Sequence, residues 1–175
     1  FESINAANLE QMGKSVNRTV SDYESAISNL RRNGLSVYGT FVFGYDHDDE
    51  QTFEDTFEFA VRNKLFFAAF NHLVPFPGTP LYERLEAEGR LLFDKWWLDD
   101  GYRFGDIAFH PKLLSPEALG HLCMTYRKRF YGLKSVLRRS CDFRANCRTP
   151  FMTSLFFVQN FGSLRDVKLR QQLPL

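Results

Sequence analysis

The sequence predicts an α/β fold in which parallel strands lead into helices, followed by a stretch that is helical throughout. Three observations carry this. Two apolar runs, 35–43 and 66–74, are rich in β-branched and aromatic residues, and each is followed by a turn and a helix start. The segment between them has the length and pattern of a single helix, which is the layout of a right-handed βαβ crossover. Beyond residue 114 the helix starts Ser115-Pro116 and Thr149-Pro150 recur with no strand pattern between them.

Along the chain, Thr19-Val20-Ser21-Asp22 opens a helix. Val20, Tyr23, Ile27 and Leu30 share its apolar stripe, and Gly34 ends it. The run 35–43 is apolar on both faces from Thr40 on, so it is expected to be covered on both sides. After Gly44 the chain turns through Tyr45-Asp46-His47-Asp48-Asp49. Asp48 with Gln51 three residues later predicts a capping box, and the helix carries Phe53, Phe57, Ala60 and Val61 inward. The run 66–74 is the second strand. Thr79 then caps a helix with Pro80 in its first turn, and Gly89 stops it.

Residues 91–114 show no period; Trp96, Trp97, Tyr102 and Phe104 are expected to anchor them. The helix from Ser115 to about Tyr131 turns Leu119, Leu122, Cys123, Tyr126 and Phe130 inward and continues beyond a break at Gly132. The helix from Thr149 to about Arg170 is expected to bury Phe151, Leu155, Val158 and either Phe161 or Leu164. Leu30, Phe41, Phe57 and Phe70 are the expected core between helices and sheet.

Composition narrows the classes. The 19 Phe and 44% apolar residues can fill a core, which argues against disorder. No apolar run reaches the ~20 residues of a membrane span, and no leader pattern is present, so a cytoplasmic location is expected. The opening Phe1-Glu2-Ser3 reads like the interior of a longer polypeptide. Cys123, Cys141 and Cys147 lack regular spacing, which fits free thiols in a reducing compartment better than a disulfide framework. Residues 1–126 carry a net −8 and residues 127–175 a net +9, so a basic tail follows an acidic body.

In parallel α/β folds ligands sit at the carboxyl ends of strands, which directs attention to Gly44 and to the stiff segment 75–80. Gly44 would let a ligand approach the backbone, and Phe76 could stack on a flat ring. Both are equally well-packed turns on pattern alone. Asp46, His47, Asp48 and Asp49 could hold a cation, but capping explains acids at a helix start at least as well. His72, His110 and His121 have no partner at a telling spacing. The basic stretch from Tyr126 to Arg139 could bind nucleic acid or a partner, or be a solvated face; nucleic acid is the less favoured of these.

At "FESINAANLEQMGKSV…VYGTFVFGYDHDDE…FNHLVPFPGTPLYERLEAEGRL" the chain resembles the later half of a radical S-adenosylmethionine barrel. The subgroup it is most similar to binds cobalamin and includes the anaerobic magnesium-protoporphyrin monomethyl ester cyclase and hopanoid-modifying enzymes. The resemblance implies that residues 1–92 are half of a (β/α) barrel and residues 93–175 a loop plus helical extension. It implies that Glu2 and Ser3 end the fourth strand near the ribose or methionine of the cofactor. It further implies that Phe43 and Gly44 border the adenine and that Val74 and Phe76 touch its edge.

The parent enzyme would use S-adenosylmethionine, an iron–sulfur cluster and cobalamin. The CxxxCxxC loop of the family is absent, so this chain is expected to hold no cluster and no zinc, and to be inactive alone. Its partners would be the missing N-terminal half and further copies of itself, paired through an exposed strand edge with Phe41, Phe43, Phe67 or Phe70 near the contact.

Overall fold

The computed structural model describes residues 2–13 and 20–170. The expected helix start at Thr19 lies outside them. The elements run α1 (Ala6–Gln11), α2 (Val20–Arg32), β1 (Tyr38–Phe43), α3 (Glu50–Arg62), β2 (Phe67–His72), α4 (Pro80–Ala87), a 3-10 turn (Trp96–Leu98), α5 (Pro116–Tyr131), α6 (Leu133–Ser140) and α7 (Pro150–Arg170). The described part is a mixed α/β structure in which helices dominate.

β1 and β2 pair in parallel, Tyr38 opposite Phe67 through Phe43 opposite His72. Their burial alternates along β1. Gly39, Phe41 and Phe43 are buried, while Tyr38 and Thr40 are exposed and Val42 is half-buried. The strand is therefore covered on one face, not on both. The physical reason is that α3 and α5 pack on the side of Phe41, Phe43 and Phe70. Phe43 stacks on Phe53 of α3 at 3.9 Å, and Phe41 meets Phe59 edge-on at 6.2 Å. Phe70 lies among Phe41, Phe43, Tyr126 and Phe130. Phe41, Phe57 and Phe70 are core residues as expected; Leu30 is not, at 43% exposed, because of the α2 stripe only Ile27 is fully buried, with Val20 and Tyr23 half-buried against the core.

The two sheet edges are treated differently. Along β1 the Val42 N–H bonds to the Glu2 carbonyl at 2.8 Å, so the N-terminal segment runs beside that strand. Along β2 the carbonyls are taken by side chains. Tyr131 Oη donates to Ala68 O at 2.9 Å and Arg127 Nε to Phe70 O at 2.8 Å. Arg139 Nη1 donates to the Leu65 and Phe66 carbonyls at 2.9 and 3.0 Å.

Arg139 also fixes α7. Its Nη2 donates to Phe130 O and to Asn160 Oδ1, and its Nε to Ser135 Oγ. Asn160 is thereby drawn into the core with Phe156 and Val167. The helix consequently turns Phe151 (72% exposed) and Val158 (68% exposed) outward, against expectation, with Phe161 also exposed; Leu155 and Leu164, the other expected residues, are half-buried against the core. Apolar residues surround the first half of α7, so periodicity alone does not choose a side. A buried polar contact does.

The loop after α4 is anchored in part by the expected residues, with the half-buried Trp96 and Tyr102 packed at 4.9 Å. Phe104 and Trp97 are exposed, and the fully buried Phe109 pairs with Leu91 in a short antiparallel bridge. Trp96 does contribute: its Nε1 donates to the Pro75 carbonyl at 2.8 Å.

Candidate functional site

The turn after β1 is built from acids with separate tasks. Asp49, not Asp48, caps α3, with Thr52 N–H donating to it at 2.9 Å and the Thr52 hydroxyl closing the box. Asp48 is buried and accepts from the Gly44 and Tyr45 amides at 2.9 and 3.0 Å and from Asn8 Nδ2 at 2.7 Å. Asp46 is buried among Arg84, Arg90, Lys112 and Gln11, at 2.7–3.0 Å from each. Among the described residues no three His, Cys, Asp or Glu side chains gather as a metal would require. The acids are consumed in holding the turn.

Burial works to raise the Asp46 pKa, but the hydrogen bonds from Gln11, Lys112 and Arg90 and the charge of Arg84 together hold it well below the usual carboxylate range. Asp48 goes the other way. Desolvation pushes it up to about 6, against the three hydrogen bonds it accepts. His72 at the end of β2 is pushed down to about 4 by burial and by the Arg127 charge.

The last two groups should tilt stability in opposite directions. Asp48 keeps its proton in the folded state when the unfolded chain has lost it, so its share of stability falls as pH rises from ~4 to ~6. His72 is neutral when folded while the unfolded chain is protonated, so its share rises from pH ~4 to ~6.5. Each spans about two units or slightly more, roughly 3 kcal/mol. The unaltered protein should show little net slope between pH 4.5 and 7. Asp48→Asn should gain about 2 kcal/mol over that window and His72→Leu lose about as much. Urea midpoints against pH test this; parallel profiles for the two variants would reject it.

The expected site residues lie at the carboxyl ends of the two strands. Glu2 is exposed, and its charge helps burial push the Tyr45 hydroxyl up to about 12, which places it at the turn. Ser3 is buried, its Oγ accepting from Asn5 N–H at 3.0 Å. The Phe43 ring belongs to the core and its carbonyl accepts from Leu73 N–H, so neither faces a ligand. Gly44 has φ +108, and a Cβ there would stand 2.9 Å from Leu119 and 3.0 Å from Phe109. Its missing side chain makes room for the core, not for a ligand. Val74 is half-buried and Phe76 is 60% exposed, its ring edge-on to Trp96.

Around them the less covered sheet face carries the exposed Tyr38 and Thr40 and the half-buried Val42 of β1 beside the half-buried Phe67 and Asn71 of β2, with Ala69 buried between these two. Tyr38 meets Phe67 edge-on, and Asn71 Oδ1 accepts from Arg127 Nη2 at 2.7 Å. This shallow surface could lie against a flat ring, with Asn71 and strand-end carbonyls as polar contacts. Asn71 and Arg127 escaped sequence reasoning; the alternation of β2 could have flagged Asn71, whereas Arg127 sits in a basic run that reads as solvated.

That run is largely spent inside the chain. Arg129 pairs with Glu54 of α3 and Arg138 with Glu58, while Arg127 and Arg139 are buried on carbonyls. Arg31 of α2 returns the arrangement by pairing with the buried Asp142. Ion pairs thus join the acidic body to the basic tail. No helix among the described residues is long and apolar enough to cross a membrane.

No protein-family model matches the chain. It is 34% identical over 139 residues to the bacteriochlorophyllide d C-12(1)-methyltransferase of Chlorobaculum tepidum, covering 79% of this chain and 29% of that protein. It is 28% identical over 118 residues to the anaerobic magnesium-protoporphyrin IX monomethyl ester cyclase of Cereibacter sphaeroides, covering 67% and 18%. To the hopanoid C-2 methylase of Rhodopseudomonas palustris it is 30% identical over 94 residues, covering 54% and 18%. The chain spans less than a third of the length of these curated relatives. The cyclase and hopanoid-modifying kinds named by the sequence resemblance are thus among its relatives, which supports the radical S-adenosylmethionine superfamily.

Proposed function

We propose that the chain is the C-terminal part of a cobalamin-type radical S-adenosylmethionine enzyme, of the methyltransferase and cyclase kind, and that it supplies one wall of the cofactor cleft. The observation that carries this is the parallel strand pair with one less covered face, along which Glu2 is bonded beside β1 and after which Val74 and Phe76 follow β2. An iron–sulfur cluster held outside this chain would supply the one-electron chemistry of such an enzyme. The donors present here do not fit a cluster: Cys123 is buried on α5, Cys147 is buried, and Cys141 follows α6. This chain's own part is to bind and orient. Val74 and Phe76 border the adenine, Asn71 offers an amide, and the apolar face excludes water. A tetrapyrrole is the proposed acceptor, since relatives named for bacteriochlorophyllide and magnesium-protoporphyrin align with this chain.

Association is part of the proposal. Phe41, Phe43 and Phe70 are covered by the chain's own helices, and the β2 edge is capped. Tyr38, Thr40 and Phe67 on the bare face are left for the N-terminal half of the parent or for a second copy. Joined to an upstream cluster-binding half, the chain should yield 5′-deoxyadenosine from S-adenosylmethionine and sediment as a discrete species. Alone it should yield none and self-associate at tens of micromolar. Val74→Asp in the joined form should abolish the product; full product from that variant would remove the cleft-wall assignment, and none from any joined form would reject the enzyme.

A further inference from the structure

On the opposite, helix-covered side of the sheet, a half-open pocket of about 460 Å³ lies between the end of β2, the loop around residues 105–107 and α5. It opens on the other side of β2 from the bare face, because His72 alternates with Asn71 along the strand and lies on the side of Phe70; Arg127, which also lines it, reaches across to Asn71.

His72 lines this cavity and is only 7% exposed, yet its Nε2 has no hydrogen-bond partner. The Asp106 backbone bonds to the same ring. With Nε2 unpartnered, that bond belongs to Nδ1, which donates to a carbonyl; Nε2 then carries the lone pair of a neutral imidazole. Burial keeps the ring neutral at pH 7. A buried acceptor left unmade is costly, and native structures rarely keep one without a reason.

The rest of the wall suits an apolar guest. Ile107, Met124 and Cys123 supply aliphatic and sulfur surface. At Gly120 the space where a side chain would start is open to Ile107 Cδ1 at 4.0 Å, so the helix is hollowed on this side. Charges of both signs, Glu117 and Lys128, stand at the lining, which gives no preference for an ion. The pocket's volume falls within the ~300 to ~1,000 Å³ of ligand pockets.

We infer that this cavity is a second binding site, for a small, uncharged, mostly apolar molecule that presents one N–H or O–H donor to His72 Nε2. It does not depend on the cofactor cleft and stands or falls apart from it.

Indole and benzofuran test the inference, since they share shape and differ in the donor. Titrated into the full chain and followed by the His72 side-chain nitrogen resonances, indole should bind saturably and move Nε2 most. Its dissociation constant should be about tenfold lower than that of benzofuran, or better. His72→Leu should erase the difference between the two. Should that variant fold poorly, the comparison on the unaltered chain still decides. Equal binding of both probes would overturn the donor assignment, and no binding of either at millimolar concentration would leave a water-filled cavity and reject the site.

Discussion

Arg139→Leu is expected to cost at least about 4 kcal/mol and to detach α7 from the body, a loss comparable to the whole stability of many domains. Replacing a buried ion pair by apolar residues is often harmless, because both partners go together. Here that escape is closed. The guanidinium is fully buried, its five N–H groups meet five acceptors, and three of those are the backbone carbonyls of Leu65, Phe66 and Phe130. Carbonyls cannot be mutated away, so a leucine would strand them at ~1–3 kcal/mol each where no water enters. The ring of Phe130 also loses the cation stacked on it at 3.7 Å. Burial pushes the Arg139 pKa down to about 9, which still leaves it charged at pH 7. Arg139→Lys keeps the charge with three donors on a single atom and should recover less than half of the loss. Urea unfolding followed by circular dichroism measures this; a shift below about 1 kcal/mol for the leucine variant would refute the account.

Phe70→Ala should cost about 4 kcal/mol. Phe70 is fully buried at the meeting point of β1, β2 and α5, in ring contact with Phe41, Phe43, Tyr126 and Phe130. Four rings on one strand and a helix cannot all move inward to close the space, so most of the cavity penalty remains. Val158→Ala on the open side of α7 is the control and should change stability by less than about 0.5 kcal/mol. Similar losses in the two variants would mean that α7 buries the other face.

Local chemistry was legible in the sequence. The proline-led starts at Ser115 and Thr79, the break at Gly132 and the parallel strand pair are found where the residues put them. What was not legible depends on distant partners. Two adjacent acids competed to cap α3, and Thr52 rather than Gln51 settled it for Asp49. The face of α7 was decided by an arginine 21 residues away from Asn160. β1 looked two-sided because its residues are apolar on both faces, but the described helices reach only one. At the candidate site, Val74 and Phe76 stand at a strand end as expected, while Phe43 and Gly44 turned out to serve the core.

The unequal edges of the sheet give it a direction of growth. On the β2 side, Tyr131, Arg127 and Arg139 act as end-stops, filling acceptors that another strand would need. On the β1 side the ladder is continued by a main-chain bond to Glu2, which a strand can extend without displacing anything. Any polypeptide that completes this sheet therefore has one place to add, alongside the N-terminal segment. During synthesis that order is natural: β1 and β2 emerge before α5 and α6, whose arginines arrive last to terminate the array.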